Sequence, residues 1–307
     1  MPNGLPAGDT LIRVIWSGLN YKDALAVHAN PAVVKTLPHI PGIDAAGIVV
    51  ETTAPHLSVG QAVVVTGWDF GAGSWGSFAE YARLPGAWAI PLPSGLSLRE
   101  SMIFGTAGFT AAQCVAALRK HDVLPDGGDV LVTGANGGVG STAIAVLAKL
   151  GYRVTAGTGK SPERALALGA VTTLIREELA DASDRPLLKP RWTGAIDTVG
   201  GTTLGTILRS TAYRGCVAAC GLVGGADLPT SVFPFILRGV SLIGIDSVNA
   251  PAAERAEIWN RLAGDWKPRD IDALAGCEIG LDDLPEQIEK ILRGETTGRV
   301  LVKIGDE

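Results

Sequence analysis

Metal-binding side chains are scarce in this chain. Its 307 residues include four cysteines and four histidines. Cys114, Cys216, Cys220 and Cys277 show no spacing that matches a zinc motif, and a disulfide-stapled scaffold would be far shorter. Cys216 and Cys220 lie four apart in an apparent strand, so both face one side and read as core residues. His28, His39, His56 and His121 are dispersed, with no i,i+4 pair to bring two imidazoles to one helix face. Positive charge is also in short supply. The net charge is −5 and the Lys and Arg residues are scattered, which argues against a nucleic-acid partner or an acidic membrane surface. The start, Met1-Pro2-Asn3-Gly4, has neither the basic end nor the apolar run of a signal peptide. No apolar run is read as reaching the roughly 18 residues of a membrane-spanning helix. These absences together predict a soluble, cytoplasmic protein.

What is present is a globular composition, 47% hydrophobic and 19% charged, in a chain long enough for two domains. From about residue 129 to 246, short β-rich runs alternate with helical stretches. Asp129–Thr133 is a strand running into a glycine loop, and residues 139–150 form a helix with Ile144, Leu147 and Ala148 at helical spacing. Strands follow at 153–156, 171–175, 195–197, 216–220 and 240–245, and a helix starts at Pro162. Such alternation predicts a parallel, doubly wound sheet in an α/β fold. Residues 1–104 differ. They are dense in proline and glycine, with short apolar runs at 10–15, 47–51, 61–66 and 87–90, a pattern that suits a β-barrel-like domain. A C-terminal strand at 299–304 follows a helix near 284–293 and is assigned back to the first domain. The expected domains are therefore 1–104 with 247–307, and 105–246.

The loop Gly134-Ala135-Asn136-Gly137-Gly138-Val139-Gly140 matches the dinucleotide fingerprint in all but its first glycine. Gly137 lets the backbone approach a pyrophosphate, Gly140 lets the following helix pack closely, and the helix start offers unsatisfied N–H groups. The loop follows a strand and opens a helix inside a βαβ unit, which is the context the motif requires. At the end of the second strand, where a carboxylate would select NAD, the chain has Ala156-Gly157-Thr158-Gly159-Lys160. Thr158 and Lys160 can donate to a 2′-phosphate, and Arg176 after the third strand can reach the adenosine end, so the expected cofactor is NADPH. The alternatives are plain: a tight turn for the loop, and exposed surface charges for Lys160 and Arg176.

Further segments carry a family resemblance: Ser17-Gly18-Leu19-Asn20-Tyr21-Lys22-Asp23, Pro41-Gly42-Ile43-Asp44, Gly105-Thr106-Ala107-Gly108-Phe109-Thr110, Val132 through Ser141, Gly194 through Gly200, and Asp246-Ser247. On these the chain resembles the medium-chain dehydrogenase/reductase superfamily, in its acryloyl-CoA reductase and quinone oxidoreductase group. The resemblance covers nearly the whole chain. It implies a Rossmann domain plus a discontinuous GroES-like barrel, and a homodimer joined through sheet edges, for which Val240–Ile245 is the candidate. It also implies that Tyr21 contacts the cofactor, and that Leu222, Ile236 and Ser247 line it. At the places of the zinc ligands in the related alcohol dehydrogenases stand Asn20, Ile43 and Thr106, none of them a Cys or His, so no metal is expected.

Without a metal, the chemistry that suits this fold is reduction of an activated C=C bond or of a quinone. Hydride adds to the β-carbon of a conjugated thioester, charge develops on the thioester oxygen, and the α-carbon takes a proton. Tyr21 and Asn20 are the expected catalytic residues, Tyr21 by its hydroxyl and Asn20 as a donor to substrate oxygen. Asp23 and Asp44 read mainly as structural, pairing with nearby backbone or Lys22. The glycine-rich loop Gly67–Gly76, with Trp68 and Trp75, is a candidate lid. The leading expectation is an NADPH-dependent acryloyl-CoA reductase acting on a small-molecule substrate. A quinone reductase and a non-catalytic NADPH-binding protein stand beside it.

Overall fold

The structure, a computed structural model, describes residues 7–159 and 161–306. The chain opens with β1 (Thr10–Leu19), α1 (Tyr21–Val27), β2 (Asp44–Thr52), β3 (Ala62–Thr66), β4 (Tyr81–Leu84) and β5 (Ala89–Pro91). The helix α2 (Leu98–Lys120) follows and is broken at Gly105, whose φ of 51° and ψ of −155° only glycine adopts readily. Then come β6 (Asp129–Thr133), α3 (Gly138–Lys149), β7 (Arg153–Gly157), α4 (Pro162–Ala167), β8 (Thr172–Leu174), β9 (Trp192–Asp197), α5 (Gly201–Ser210), β10 (Thr211–Ala219), α6 (Phe233–Arg238) and β11 (Ser241–Gly244). The last stretch holds α7 (Ala252–Ala263), β12 (Ala275–Ile279), α8 (Leu284–Leu292) and β13 (Arg299–Lys303).

The chain forms two compact units. One comprises the described residues up to Phe109 with Ser247–Asp265 and the residues from Asp270 onward. The other comprises Thr110–Asp246 with Trp266–Arg269.

The first unit is built on a seven-stranded sheet in the order β12-β13-β1-β2-β3-β5, with β4 also pairing β1. The C-terminal strand β13 lies antiparallel against β1, with Ser17 opposite Val302 and Leu19 opposite Val300. Alternation along the strands turns Ile12, Val14, Val49, Val63 and Val65 into one core with Phe70 and Leu84. A second cluster joins Leu19, Val300 and Val302 to Leu284 and Ile288, which share one face of α8 at i,i+4 spacing.

The second unit holds six parallel strands in the order β11-β10-β9-β6-β7-β8. Buried parallel strands need apolar residues on both faces, hence the near-continuous run of Val130, Leu131 and Val132 in β6. Leu131, Ala195 and Val217 pack with Ile207 and Leu208 of α5. Strand order reverses between β6 and β9, so the crevice for a ligand opens at their carboxyl ends.

One sequence reading is corrected. The run from Ser101 to Leu118 carries no charged residue, and α2 is long and apolar enough by composition to match a membrane span. In the fold, 83% of that window is buried inside the protein, so the apolarity of α2 serves as core.

Candidate dinucleotide site and the buried polar cluster

In the second unit, the turn after β6 is shaped by its glycines. Gly134 takes a φ of 60°, and a Cβ there would run into Thr198 Oγ1. A Cβ on Gly140 would collide with the Gly134 carbonyl, so only glycine lets α3 pack down onto the turn. Gly137 differs. A Cβ there would meet only the Gly134 carbonyl oxygen, at 3.4 Å, so the space over it is open on the side of approach. Gly137 is the N-cap of α3, a helix of 12 residues whose first-turn amides have no intrahelical acceptor. Gly138 and Val139 supply such amides, and together these features form a cradle that fits a pyrophosphate.

Asn136 is buried, and its Nδ2 donates to Thr158 Oγ1 at 2.8 Å, which ties the glycine turn to the end of β7. Thr158 is buried as well, and its backbone N–H donates to the Leu174 carbonyl at 2.9 Å. Arg176 is exposed, and its Nη2 stands 4.0 Å from where a Cβ on Gly159 would be. The fold thus brings Asn136, Thr158, Gly159 and Arg176 to the carboxyl ends of β6 and β7. Lys160 lies outside the described residues.

Leu222 is 67% exposed in the turn after β10. It lines an open cavity of about 490 Å³ with Ala219, Cys220, Gly221, Gly244, Ile245 and Asp246, at the carboxyl ends of β10 and β11. Ile236 is not among those residues; it lies on α6, 68% exposed, next to exposed Phe233 and Leu237. Asp197, at the end of β9, accepts from Thr133 Oγ1 at 2.7 Å and from the Gly200 amide at 2.7 Å, fixing the two strand ends. Burial raises its carboxyl above the ordinary range.

In the first unit, Tyr21 opens α1 and is 48% exposed. Among the described residues nothing hydrogen-bonds its phenol. Asn20 is differently placed. Its Nδ2 donates to the Gly18 carbonyl at 3.1 Å and to Asp44 Oδ2 at 2.8 Å. Its Oδ1 accepts from Arg299 Nη1 at 2.9 Å. Both amide protons are therefore engaged inside the protein, which corrects the expectation that Asn20 donates to a substrate oxygen; its role is to hold the start of α1.

Sequence reasoning missed Arg299, which is separated from Asp44 by 255 positions. Its Nη2 meets Asp44 Oδ2 at 2.9 Å, with the side chains 3% and 0% exposed. Asp44 Oδ1 accepts from the Thr106 amide at 2.9 Å and from Thr106 Oγ1 at 2.6 Å. The pair is sealed by Gly18 and Gly105, since a Cβ on either would strike the guanidinium. The one available signal was a charge at the start of the apolar run Val300-Leu301-Val302. Asp44 thus pairs with Arg299 rather than with Lys22. Asp23, also fully buried, accepts from the backbone amides of Asn20 at 2.7 Å, Gly42 at 3.1 Å and Ile43 at 2.9 Å. Burial and the neighbouring Asp44 carboxylate push the Asp23 carboxyl up to about 7. The loop after β3 is anchored by Trp68, which holds a φ of 56° and stacks on Trp88 with ring centroids 6.5 Å apart. Ser247 gives its carbonyl to Arg255 Nη2 at 3.0 Å.

Two family descriptions match this chain: "Alcohol dehydrogenase GroES-like domain" over residues 6–94 and "Zinc-binding dehydrogenase" over residues 138–263. The chain belongs to the medium-chain dehydrogenase/reductase superfamily. Within it, the chain is 49% identical to "Probable acrylyl-CoA reductase AcuI" of Escherichia coli strain K12, over 98% of this chain and 92% of that protein. It is 45% identical to "Putative quinone oxidoreductase YhfP" of Bacillus subtilis strain 168, over 98% of this chain and 92% of that protein. The solved structure of that protein, with NAD bound, superposes with a TM-score of 0.95 over 99% of this chain and 93% of that one. The yhdH oxidoreductase of Salmonella enterica, solved in complex with NADP, is 50% identical and gives a TM-score of 0.96 over 99% of this chain and 94% of that one.

The zinc in the second description has no matching donor set here. Asn20 and Thr106 are neutral and engaged with Asp44, Ile43 offers no ligand atom, and a guanidinium already occupies the position beside Asn20 and Asp44. Among the described residues no three His, Cys, Asp or Glu side chains converge. The residues do not fit zinc, and no step is derived through it.

Proposed function

We propose that the chain is an NADPH-dependent oxidoreductase acting on CH–CH groups, reducing an activated carbon–carbon double bond, with acryloyl-CoA as substrate and propanoyl-CoA as product. The observation that carries this reading is the open cradle at Gly137 with Arg176 standing over Gly159. The first receives a pyrophosphate, and the second places a cation where a 2′-phosphate needs one. Similarity to AcuI over almost the full length supports the substrate. When bound, NADPH supplies the hydride that adds to the β-carbon of the thioester.

The residues of the chain do the rest. Asn136 and Thr158 hold the glycine turn to β7, and α3 directs its amides at phosphate. Leu222 supplies an apolar wall at the carboxyl end of β10, and Ser247 follows β11. Tyr21 is the exposed hydroxyl of its segment, since Asn20 is engaged; it orients the thioester oxygen or passes a proton to the α-carbon. The Arg299–Asp44 pair fixes the turn from which Tyr21 projects. Exposed Phe233, Ile236 and Leu237 on α6, which precedes the edge strand β11 in the chain, fit a homodimer contact. Ile236 therefore serves the dimer as readily as the cofactor.

A second reading, NADPH:quinone oxidoreductase, is favoured by the similarity to YhfP. The deciding experiment follows NADPH oxidation side by side with acryloyl-CoA, crotonyl-CoA and 1,4-benzoquinone. The proposal expects the CoA thioesters to be turned over; turnover of the quinone alone sinks it, and turnover of none favours a non-catalytic NADPH-binding protein. Arg176→Ala is expected to lower the preference for NADPH over NADH by about tenfold, corresponding to loss of a charge-assisted contact of roughly 1.5 kcal/mol. An unchanged preference removes Arg176 from cofactor selection.

A further inference from the structure

A cavity of about 520 Å³ opens in the second unit at the amino ends of the parallel strands, and all of its lining belongs to that unit. It touches Gly127 before β6, Thr193 in the first turn of β9, Gly215 in β10 and Ser241 at the start of β11. The glycine turn lies at the other end of β6, five residues away, or roughly 16 Å at about 3.3 Å per residue.

The wall of this cavity is made by an irregularity in β10. From Thr211 to Cys216 the strand advances five residues, while its partner β9 advances two, from Trp192 to Gly194. The surplus residues bulge from the ladder and carry Tyr213 and Arg214, both exposed, to the cavity. Arg214 holds a φ of 60°, a left-handed conformation in which the Cβ of an L-residue is crowded and glycine is not. Its stem passes Gly239, where a Cβ would stand 3.9 Å from Arg214 Cγ. Among the described residues five that are not glycine have positive φ, and two of them, Asp122 at 59° and Arg214, line this one cavity. Nothing inside the described protein offsets the cost at Arg214, since its guanidinium makes no ion pair or hydrogen bond there.

The opposite wall is the end of α2. Lys120 lines the cavity, exposed and likewise without an ion pair among the described residues. His121 donates from Nδ1 to the Ala117 carbonyl at 2.9 Å, which leaves Nε2 for another partner. The last carbonyls of α2 do not oppose an anion with free lone pairs alone, because those of Ala117, Leu118 and Arg119 accept from the amides of His121, Val123 and Asp122. An exposed lysine at a helix end commonly serves only the helix dipole. Arg214 is on a different element, however, and meets Lys120 across the same concavity. The carboxylate of Asp122 offsets one of the two cations, so the lining stays net positive in a chain of net charge −5. The hydroxyls of Tyr213 and Ser241 also make no hydrogen bond among the described residues.

We propose that this cavity is a second ligand site, separate from the glycine turn, for a small phosphate ester with a hydroxylated body. Arg214 and Lys120 take the phosphoryl group by charge-assisted hydrogen bonds, and Tyr213 and Ser241 take the body.

The test titrates the full chain with ribose 5-phosphate and with inorganic phosphate by calorimetry, at physiological ionic strength in sodium chloride. Ribose 5-phosphate is expected to bind, and more tightly than inorganic phosphate; equal affinity overturns the part given to Tyr213 and Ser241. Arg214→Gln and Lys120→Gln are each expected to weaken binding by about tenfold, the loss of one charge-assisted contact. Gly137→Ala, which alters the other phosphate cradle, is expected to leave it unchanged. Arg214→Gly relaxes the left-handed position, so it is expected to abolish binding with no fall in melting temperature. A wild type that does not bind, wild-type affinity in either glutamine variant, or binding lost in Gly137→Ala overturns the site. A lower melting temperature in Arg214→Gly shows that the guanidinium serves the fold, and overturns it as well. None of these outcomes depends on NADPH binding, so the proposed function stands or falls separately.

Discussion

Asp23 shows how a buried carboxylate can be functional in arrangement and still sensitive to pH. Three backbone amides satisfy it, yet burial and Asp44 hold its carboxyl up to about 7 against an ordinary 3.8. The folded state therefore keeps a proton that the unfolded chain has lost between these values. The contribution is fully present below the unfolded value and is lost as pH rises through the folded one, with a slope of at most about 1.4 kcal/mol per pH unit. Asp23→Asn removes the titration. The stability difference between wild type and Asp23→Asn should accordingly shift against the wild type from about pH 4 to about pH 7 and level off above. Denaturant melts of both proteins across this range check it; a difference that stays constant or moves the other way refutes the assignment. Arg299 belongs to the same cluster, and nothing near it in sequence announces Asp44. A residue type narrows the possible partners, but only the meeting of β13 with β1 and β2 selects one.

At the scale of elements, two glycines of one turn do different work. Gly140 admits α3 against the Gly134 carbonyl, whereas Gly137 leaves space open above the helix start. Gly140→Ala should lower both stability, by about 1–3 kcal/mol for an overpacked contact, and NADPH affinity. Gly137→Ala should leave the melting temperature nearly unchanged and weaken NADPH binding by about tenfold or more, since its Cβ would intrude only on the approaching phosphate. Calorimetry paired with fluorescence titration separates the two. Equal loss of stability in both variants would show that the turn is a packing device alone. The strands of the parallel sheet were legible because buried parallel strands are written as apolar runs: β6 falls at 129–133 as the sequence predicts. The helices were less so. α2 extends over 23 residues and α7 over 12, and neither was foreseen. In α2 the apolar residues surround the whole helix, so the 3.6-residue period that marks a surface helix is absent. In α7 the core side includes Arg255, which reads as a polar position.

At the scale of the whole molecule, α6 leaves Phe233, Ile236 and Leu237 exposed to solvent. Leu237 is 57% exposed, and if the chain forms the homodimer proposed above through α6, Leu237→Glu is expected to give a monomer in sedimentation experiments without loss of fold. A dimer that persists excludes α6 from the contact. The sequence by itself determined the α/β class, the parallel sheet, the glycine turn with Thr158 and Arg176 nearby, and the lack of Cys and His where zinc would be held. Each of these is local, read within a strand, a turn or a short motif whose residues act on their neighbours. Only the tertiary structure decided that the Asn20 amide is engaged, that Arg299 rather than Lys22 meets Asp44, that Ile236 is not among the residues lining the cavity beside Leu222, and that Arg255 bonds the end of β3 to Ser247 and Val248. Those facts depend on contacts between residues far apart in the chain, which come into being only when burial removes water and makes each polar group find a partner.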